Sequence, residues 1–268
     1  MTIKTLPDLL DKMWQEYITI NPLAKKVSDL LASQGEVVHN DHIALRTFNH
    51  PRVNVDVIAQ PFLESGYVFK GDYHFVEKKL YAKHYEHTDK SMPKIFISEL
   101  MLEKFSQSLQ DKVGKLIEQI PAGLELQYDF SSIGRPWEIT TEDYNEILKE
   151  SDYAAWVSAF GYRPNHFTVF INDLKKYSDI KVLNEFLQNS GVKLNSSGGE
   201  IKGSKEVCLE QSSTLANNIE VAFTNGKLNI PACYYEFAKR YPLPNGELYQ
   251  GFVAASADKI FESTSKGQ

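Results

Sequence analysis

Cysteine is scarce in this chain of 268 residues: Cys208 and Cys233 are the two present. They form no CxxC pair and no zinc-finger spacing, which excludes a disulfide framework or a structural zinc site of that kind. Reduced core thiols are expected. Neither cysteine stands at a helix start or in another activating context, which argues against a thiol hydrolase. An excess of positive charge is also missing. The 29 basic residues face 35 acidic ones, for a net charge of −6. A protein that neutralises nucleic-acid phosphates is usually basic, so no nucleic-acid partner is expected. No apolar run approaches the roughly 20 residues that cross a bilayer. The opening Met1-Thr-Ile-Lys-Thr-Leu-Pro-Asp8 lacks the apolar core of a secretion signal. No membrane partner is expected, and the expected location is cytoplasmic. The glycine-rich residues 196–204 contain neither GxxxxGK[ST] nor GxGxxG, so they are no phosphate cradle.

What is present is an ordinary globular composition, with 42% hydrophobic and 24% charged residues. The length suits one large domain or two modules sharing a core. Residues 1–36 read as a helical cover. Leu9, Leu10, Met13, Trp14 and Tyr17 recur at helical spacing, and Asn21-Pro22 opens a second helix that Gly35 ends. A weak repeat follows. Asp41-His42-Ile-Ala-Leu-Arg46 leads to a helix ending at Ser65-Gly66, and Asn165-His166-Phe-Thr-Val-Phe170 leads to one ending at Ser190-Gly191. Leu63 stands 21 residues after His42, and Leu187 stands 21 after His166. Each copy continues into three strand-like pieces. In the first these lie at 67–69, 79–81 and 94–99; in the second, at 192–194, 206–209 and 232–237. The predicted fold is therefore α+β: paired βαβββ modules at 37–100 and 161–242, with a helical insertion at 101–160 and a C-terminal segment at 243–268, packed as one domain. A single copy cannot close its sheet, and pairing two buries both concave faces.

Of seven histidines, His39, His50, His74, His84 and His87 read as ordinary polar residues, the last two at a solvated strand end. His42 and His166 differ because the repeat places them at equivalent positions. If the copies pack about a pseudo-twofold axis, both point into one cavity. Two histidines and one carboxylate form the facial set used by non-haem iron(II). The acid comes from a strand, and two candidates are related by the repeat, Glu236 and Glu99. An acid inside an apolar strand is costly unless paired or metal-bound. Both together with the histidines would make a glyoxalase-type site. Arg46 lies on the same strand face as His42, about 13 Å away at roughly 3.3 Å per residue. It could grip the far carboxylate of a short diacid, or simply pair with Asp41 or Glu36. Residues 196–204 read as a hairpin loop or as a cover whose Lys202 or Ser204 touches substrate. Gln211, polar within a strand-like run, could support a ligand.

Five blocks carry a family resemblance: Asn40-Asp-His-Ile-Ala-Leu-Arg-Thr47, Gly161-Tyr-Arg-Pro-Asn-His166, Gly198-Gly-Glu-Ile-Lys-Gly-Ser204, Gln211-Ser-Ser-Thr214 and Tyr234-Tyr-Glu-Phe-Ala-Lys-Arg240. Together they resemble the 2-oxoadipate dioxygenase/decarboxylase family, itself similar to the vicinal oxygen chelate superfamily of paired βαβββ modules. The resemblance implies iron(II) held by His42, His166 and Glu236, favouring Glu236 over Glu99. It implies Arg46 on the substrate carboxylate. The implied reaction is 2-oxoadipate plus O₂ giving 2-hydroxyglutarate plus CO₂, a step of lysine catabolism in the larger bacterial members. The alternatives are a metal-dependent isomerase or lyase of the glyoxalase type, and a non-catalytic small-molecule binding protein.

Overall fold

A computed structural model describes residues 3–253. Helix α1 (Leu6–Ile20) is capped by the Thr5 hydroxyl, which accepts from the Asp8 backbone N–H. Helix α2 (Pro22–Ser33) is capped by Asn21, with proline at its first position. The apolar stripe of α1 is buried through Leu9, Met13 and Tyr17. The Tyr17 hydroxyl donates to the carbonyl of Tyr234, which fastens the helical cover to the segment just before Glu236.

The strands of the first module are β1 (Asn40–Phe48), β2 (Tyr67–Phe75), β3 (Leu80–His87) and β4 (Lys94–Leu100), with α3 (Val55–Glu64) between β1 and β2. An insertion follows, containing α4 (Gln107–Glu118), α5 (Thr141–Glu150) and α6 (Asp152–Phe160). The second module has β5 (Pro164–Phe170), α7 (Ile180–Asn189), β6 (Lys202–Ser204), β7 (Leu209–Ser213), then a hairpin β8 (Asn218–Phe223) and β9 (Gly226–Pro231), and finally β10 (Glu236–Arg240). Eight strands form one curled half-barrel sheet in the order β2-β3-β4-β1-β5-β10-β7-β6, and β8–β9 stand apart. Read outward from the central antiparallel pair β1–β5, each side runs parallel, antiparallel, antiparallel. This is the pseudo-symmetric α+β pairing that the repeat predicts.

The second module departs from its predicted pieces. Residues 192–194 give a single bridge, Leu194 to Thr214, and residues 206–208 form a turn before β7. Residues 232–235 are not a strand although all four are fully buried. Two of their carbonyls serve side chains instead of a ladder: Ala232 accepts from the Trp156 indole, and Tyr234 from Tyr17, while Tyr235 accepts from the Thr214 backbone N–H. The predicted pieces omit the β8–β9 hairpin, although Ile219, Val221 and Phe223 alternate ahead of Asn225-Gly226 and Leu228 and Ile230 alternate after it; helix α6 carries no clear periodic signal. Helix α6 is buried at every residue from Tyr153 to Phe160, so it has no polar face to alternate with.

Gly161 explains its place ahead of β5. It has φ +68°, and a Cβ there would lie 2.2 Å from the carbonyl oxygen of Gly134. Only glycine tolerates both conditions. The close approach lets Tyr162 and Gly134 exchange backbone hydrogen bonds of 2.8 and 2.9 Å, fixing the chain that enters β5.

Candidate metal centre

Residues directly opposite in a sheet share a face. One row across the concave face therefore reads Lys94, His42, Thr168, Glu236, Ser213. The next reads His84, Phe96, Ala44, His166. These rows place two imidazoles and a carboxylate side by side. Ligand atoms of His42, His166 and Glu236 all lie within 4.8 Å of one another, and all three residues are buried.

The orientation of each ring is set by its preceding residue. His42 Nδ1 lies 2.8 Å from Asp41 Oδ1. Burial alone would lift the Asp41 carboxyl, but the Arg240 guanidinium more than reverses this and holds it well below its ordinary range. Asp41 is thus an acceptor, and His42 donates from Nδ1. His166 Nδ1 donates likewise to Asn165 Oδ1 at 3.0 Å. Burial lowers the pKa of both rings. The Arg46 charge deepens the effect on His166, as would a proton on His42, and Asp41 opposes it on His42. Both rings are neutral and turn bare Nε2 atoms inward, which is the ligand form of histidine.

Those nitrogens face the two oxygens of one carboxylate. His42 Nε2 is 3.6 Å from Glu236 Oε1, and His166 Nε2 is 3.5 Å from Oε2. The Thr168 hydroxyl oxygen lies 3.1 Å from His42 Nε2. Gln211 donates to Glu236 Oε1 at 2.5 Å. Burial pushes the Glu236 carboxyl up to about 8, against the Gln211 hydrogen bond and with the Asp41 charge adding to the rise. A cation between these converging groups would displace the Glu236 proton and offset the cost of a buried carboxylate. Two neutral nitrogens and one oxygen suit a divalent transition-metal ion with open positions.

Glu99 takes no part. Its Oε2 accepts from the Val55 backbone N–H at 2.8 Å, at the start of α3. By strand register the first-module counterpart of Glu236 is Phe96, not Glu99. Glu236 opposes the residue two after His166, and Phe96 opposes the residue two after His42. Glu99 is three positions farther, and an odd offset puts it on the other face of the sheet.

Arg46 is buried at 4% exposure. Its guanidinium lies 5.0 Å from the Tyr153 ring centroid and 5.2 Å from that of Trp156. The two acids offered as its partners are engaged elsewhere, Asp41 with Arg240 and Glu36 with the backbone of Lys175 and Lys176. The aromatic walls are themselves held, Tyr153 by Ser98 and Trp156 by the Ala232 carbonyl.

Lys202 is buried and stands opposite Gln211, the residue that bonds Glu236. Lys202 donates to the Asn195 carbonyl at 2.7 Å and closes the preceding loop. Ser204 bonds Glu206 in the β6–β7 turn. His84 is not solvated: it is buried against Tyr73, whose hydroxyl is 2.9 Å from its Nδ1. His87, half-buried, contacts the Ser65 carbonyl instead. Both cysteines are free, Cys233 buried and Cys208 half-buried.

Sequence reasoning missed Arg240, Asp41, Thr168, Tyr153, Trp156 and Tyr234. Arg240 grips Asp41 through Nε at 2.6 Å and Nη2 at 2.8 Å, and so acts on His42 through Asp41. Tyr234 stacks on the His166 ring at 4.6 Å. The positions of Asp41 and Asn165, each just before a ligand histidine, were the one available signal.

The family model for 2-oxoadipate dioxygenase/decarboxylase matches residues 3–122 and 134–247. An Arabidopsis thaliana protein named chloroplastic 2-oxoadipate dioxygenase/decarboxylase is 36% identical over 287 residues, covering 97% of this chain and 77% of that one. A crystal structure of hydroxyglutarate synthase from Oryza sativa, in complex with 2-oxoadipate, superposes with TM-score 0.90 at 33% identity, covering 99% of this chain and 96% of that one. A Shewanella frigidimarina structure, provisionally described as a hydrolase, superposes at 0.91 with 50% identity over 95% of this chain and all of its own. A glyoxalase-superfamily structure from Ralstonia eutropha, at TM-score 0.77 and 20% identity over 91% of this chain and 84% of its own, shares the fold. No helix among the described residues is long and apolar enough to cross a membrane. On the span of the family match and the identity to its plant relative, the chain belongs to the 2-oxoadipate dioxygenase/decarboxylase family.

Proposed function

We propose that this chain is an iron(II)-dependent enzyme that converts 2-oxoadipate and O₂ to 2-hydroxyglutarate and CO₂, a step suited to lysine catabolism. The observation that carries this reading is the convergence of His42, His166 and Glu236 on one buried point of the concave face, in a chain of this family. Iron(II), when bound, supplies the oxygen-dependent decarboxylation and hydroxylation.

The protein supplies geometry. Asp41 and Asn165 keep the two Nε2 atoms bare and aimed at the cation. Gln211 and Thr168 both offer hydrogen bonds to Glu236 and steady it. Arg46 takes the distal carboxylate of the diacid. Its planar fork accepts two carboxylate oxygens, and its aromatic walls fix that fork before substrate arrives. Ala44, between His42 and Arg46 on the same face, leaves room for the carbon chain. Burial of the whole line excludes water from the reacting carbon. The free thiols fit work in a reducing compartment, and we place it in the cytoplasm.

The test is anaerobic iron loading, then an oxygen electrode with 2-oxoadipate and with 2-oxohexanoate, which lacks the second carboxylate. Oxygen uptake matched by CO₂ release is expected with the diacid, and far less with the monoacid. Glu236→Ala should lose iron and uptake together. Arg46→Ala should keep iron while KM for the diacid rises at least tenfold. Turnover of 2-oxoadipate without O₂ consumption would refute the reading in favour of an isomerase or lyase. Binding of the acid with no turnover would favour a binding protein.

A further inference from the structure

The space beside the metal-binding cluster is not closed by the sheet alone. The inward positions of β1, β3 and β10 nearby carry Ala44, Ala82 and Ala238, which are too small to fill a bowl. The filling ring comes from the C-terminal segment beyond β10. Phe252, 7% exposed, meets His42 edge-on with ring centroids 4.8 Å apart, and lies 4.8 Å from Phe96 and 5.3 Å from His84.

Three contacts hold this strap. Arg240 Nη1 donates to the carbonyls of Tyr249 and Gly251, each at 2.9 Å. The Phe252 backbone N–H donates to the Tyr73 hydroxyl at 3.2 Å. The same Arg240 holds Asp41, so the strap and the His42 orientation share one anchor.

We propose that Phe252 is a wall of the substrate cavity that sets how long a 2-oxo diacid the site accepts. The inference rests on the function proposed above. A diacid reaching from the cation to Arg46 crosses Ala44. Phe96 is the register neighbour of Ala44, and Phe252 packs against Phe96 and the His42 ring together. The Phe96–Phe252 pair thus bounds the carbon chain on the first-module side. A longer chain held at both ends must bow, and on that side it meets the Phe252 ring. A single methylene in an apolar pocket changes kcat/KM by about 10- to 200-fold.

The experiment compares wild type with Phe252→Ala, Phe252→Leu and Phe252→Trp, using 2-oxoglutarate, 2-oxoadipate and 2-oxopimelate. Two readouts are taken: calorimetric binding to the iron-loaded protein under nitrogen, and oxygen uptake. The alanine variant should raise the preference for 2-oxopimelate over 2-oxoadipate about tenfold or more in both readouts. The leucine variant should fall between, and the tryptophan variant should shift preference toward 2-oxoglutarate. A merely structural ring would lower Tm or total activity without changing these ratios. Ratios that stay at the wild-type value in folded variants overturn the proposal, as does a wild type that binds none of the three acids. Binding ratios that move while the wild type consumes no oxygen would support the wall and refute the proposed reaction.

Discussion

Replacing Asp41 by asparagine separates the charge of this residue from its shape. The Asp41 side chain is fully buried and accepts two hydrogen bonds from Arg240, at 2.6 and 2.8 Å, and one from His42 at 2.8 Å. Removing one partner of a buried ion pair costs about 3–5 kcal/mol, because the other charge is left buried and uncompensated. Arg240 keeps its two strap carbonyls, and asparagine keeps one acceptor oxygen, so the lower end, about 3 kcal/mol, is expected. The effect on metal should be smaller. At His166 the same orienting task is already done by a neutral amide, Asn165. Asp41→Asn should therefore weaken metal binding only about tenfold, and Asp41→Ala, which frees the His42 ring, nearer a hundredfold. Stability is read by guanidinium unfolding of the metal-free protein, since bound metal would mask the loss. Affinity is read by chelator competition. An Asp41→Asn protein within 1 kcal/mol of wild type in stability, or an Asp41→Ala protein with unchanged affinity, would refute this account of the Arg240–Asp41–His42 chain.

Three further outcomes are expected. Burial holds His84 near 4, with Glu86 only partly opposing, against an ordinary value of 6.5. The unfolded chain therefore takes up this proton first, so stability is full above pH 6.5 and falls as pH drops toward 4, by about 3 kcal/mol in all. His84→Phe should flatten that part of the stability–pH curve, and an unaltered slope would contradict the burial argument. Tyr17→Phe strands the Tyr234 carbonyl and the Asn21 amide, which lies 2.9 Å from the hydroxyl. A loss of about 1–3 kcal/mol should appear in denaturant unfolding; no loss would mean water replaces both bonds. Phe96→Glu places a second carboxylate at the register position that mirrors Glu236. Metal should be retained while oxygen uptake falls sharply, because an open coordination position is filled; undiminished uptake would show that the two modules are not equivalent there.

The first module was legible in β1, α3 and β4, while β2 and β3 run on to Phe75 and His87, well beyond the predicted 67–69 and 79–81. Val55, Ile58 and Phe62 mark α3, and Ile43 and Leu45 alternate with inward polar residues on β1. The second module was less so, because its strands are short and its connections are held by side chains. Residues 232–235 are as apolar as any strand, yet the Ala232 and Tyr234 carbonyls are spent on Trp156 and Tyr17, groups more than 70 residues distant in sequence. Burial on all sides removes the periodic signal from α6 in the same way.

The site was legible where it follows the repeat and illegible where it departs from it. His42 and His166 were found because equivalent strands start with them. Glu236 could not be separated from Glu99 by the repeat alone, since the apparent match ignored strand register. A parallel pair fixes which residue faces inward, and a shift of three reverses it. In the folded sheet the pseudo-twofold axis relates Glu236 to Phe96, so the symmetry of the frame is broken at that position. A carboxylate on one side completes a three-ligand set, and a phenyl ring on the other gives Phe252 an apolar surface to rest on. That asymmetry distinguishes this arrangement from a four-ligand one. A cation held by His42, His166 and Glu236 alone would keep positions open for substrate and oxygen.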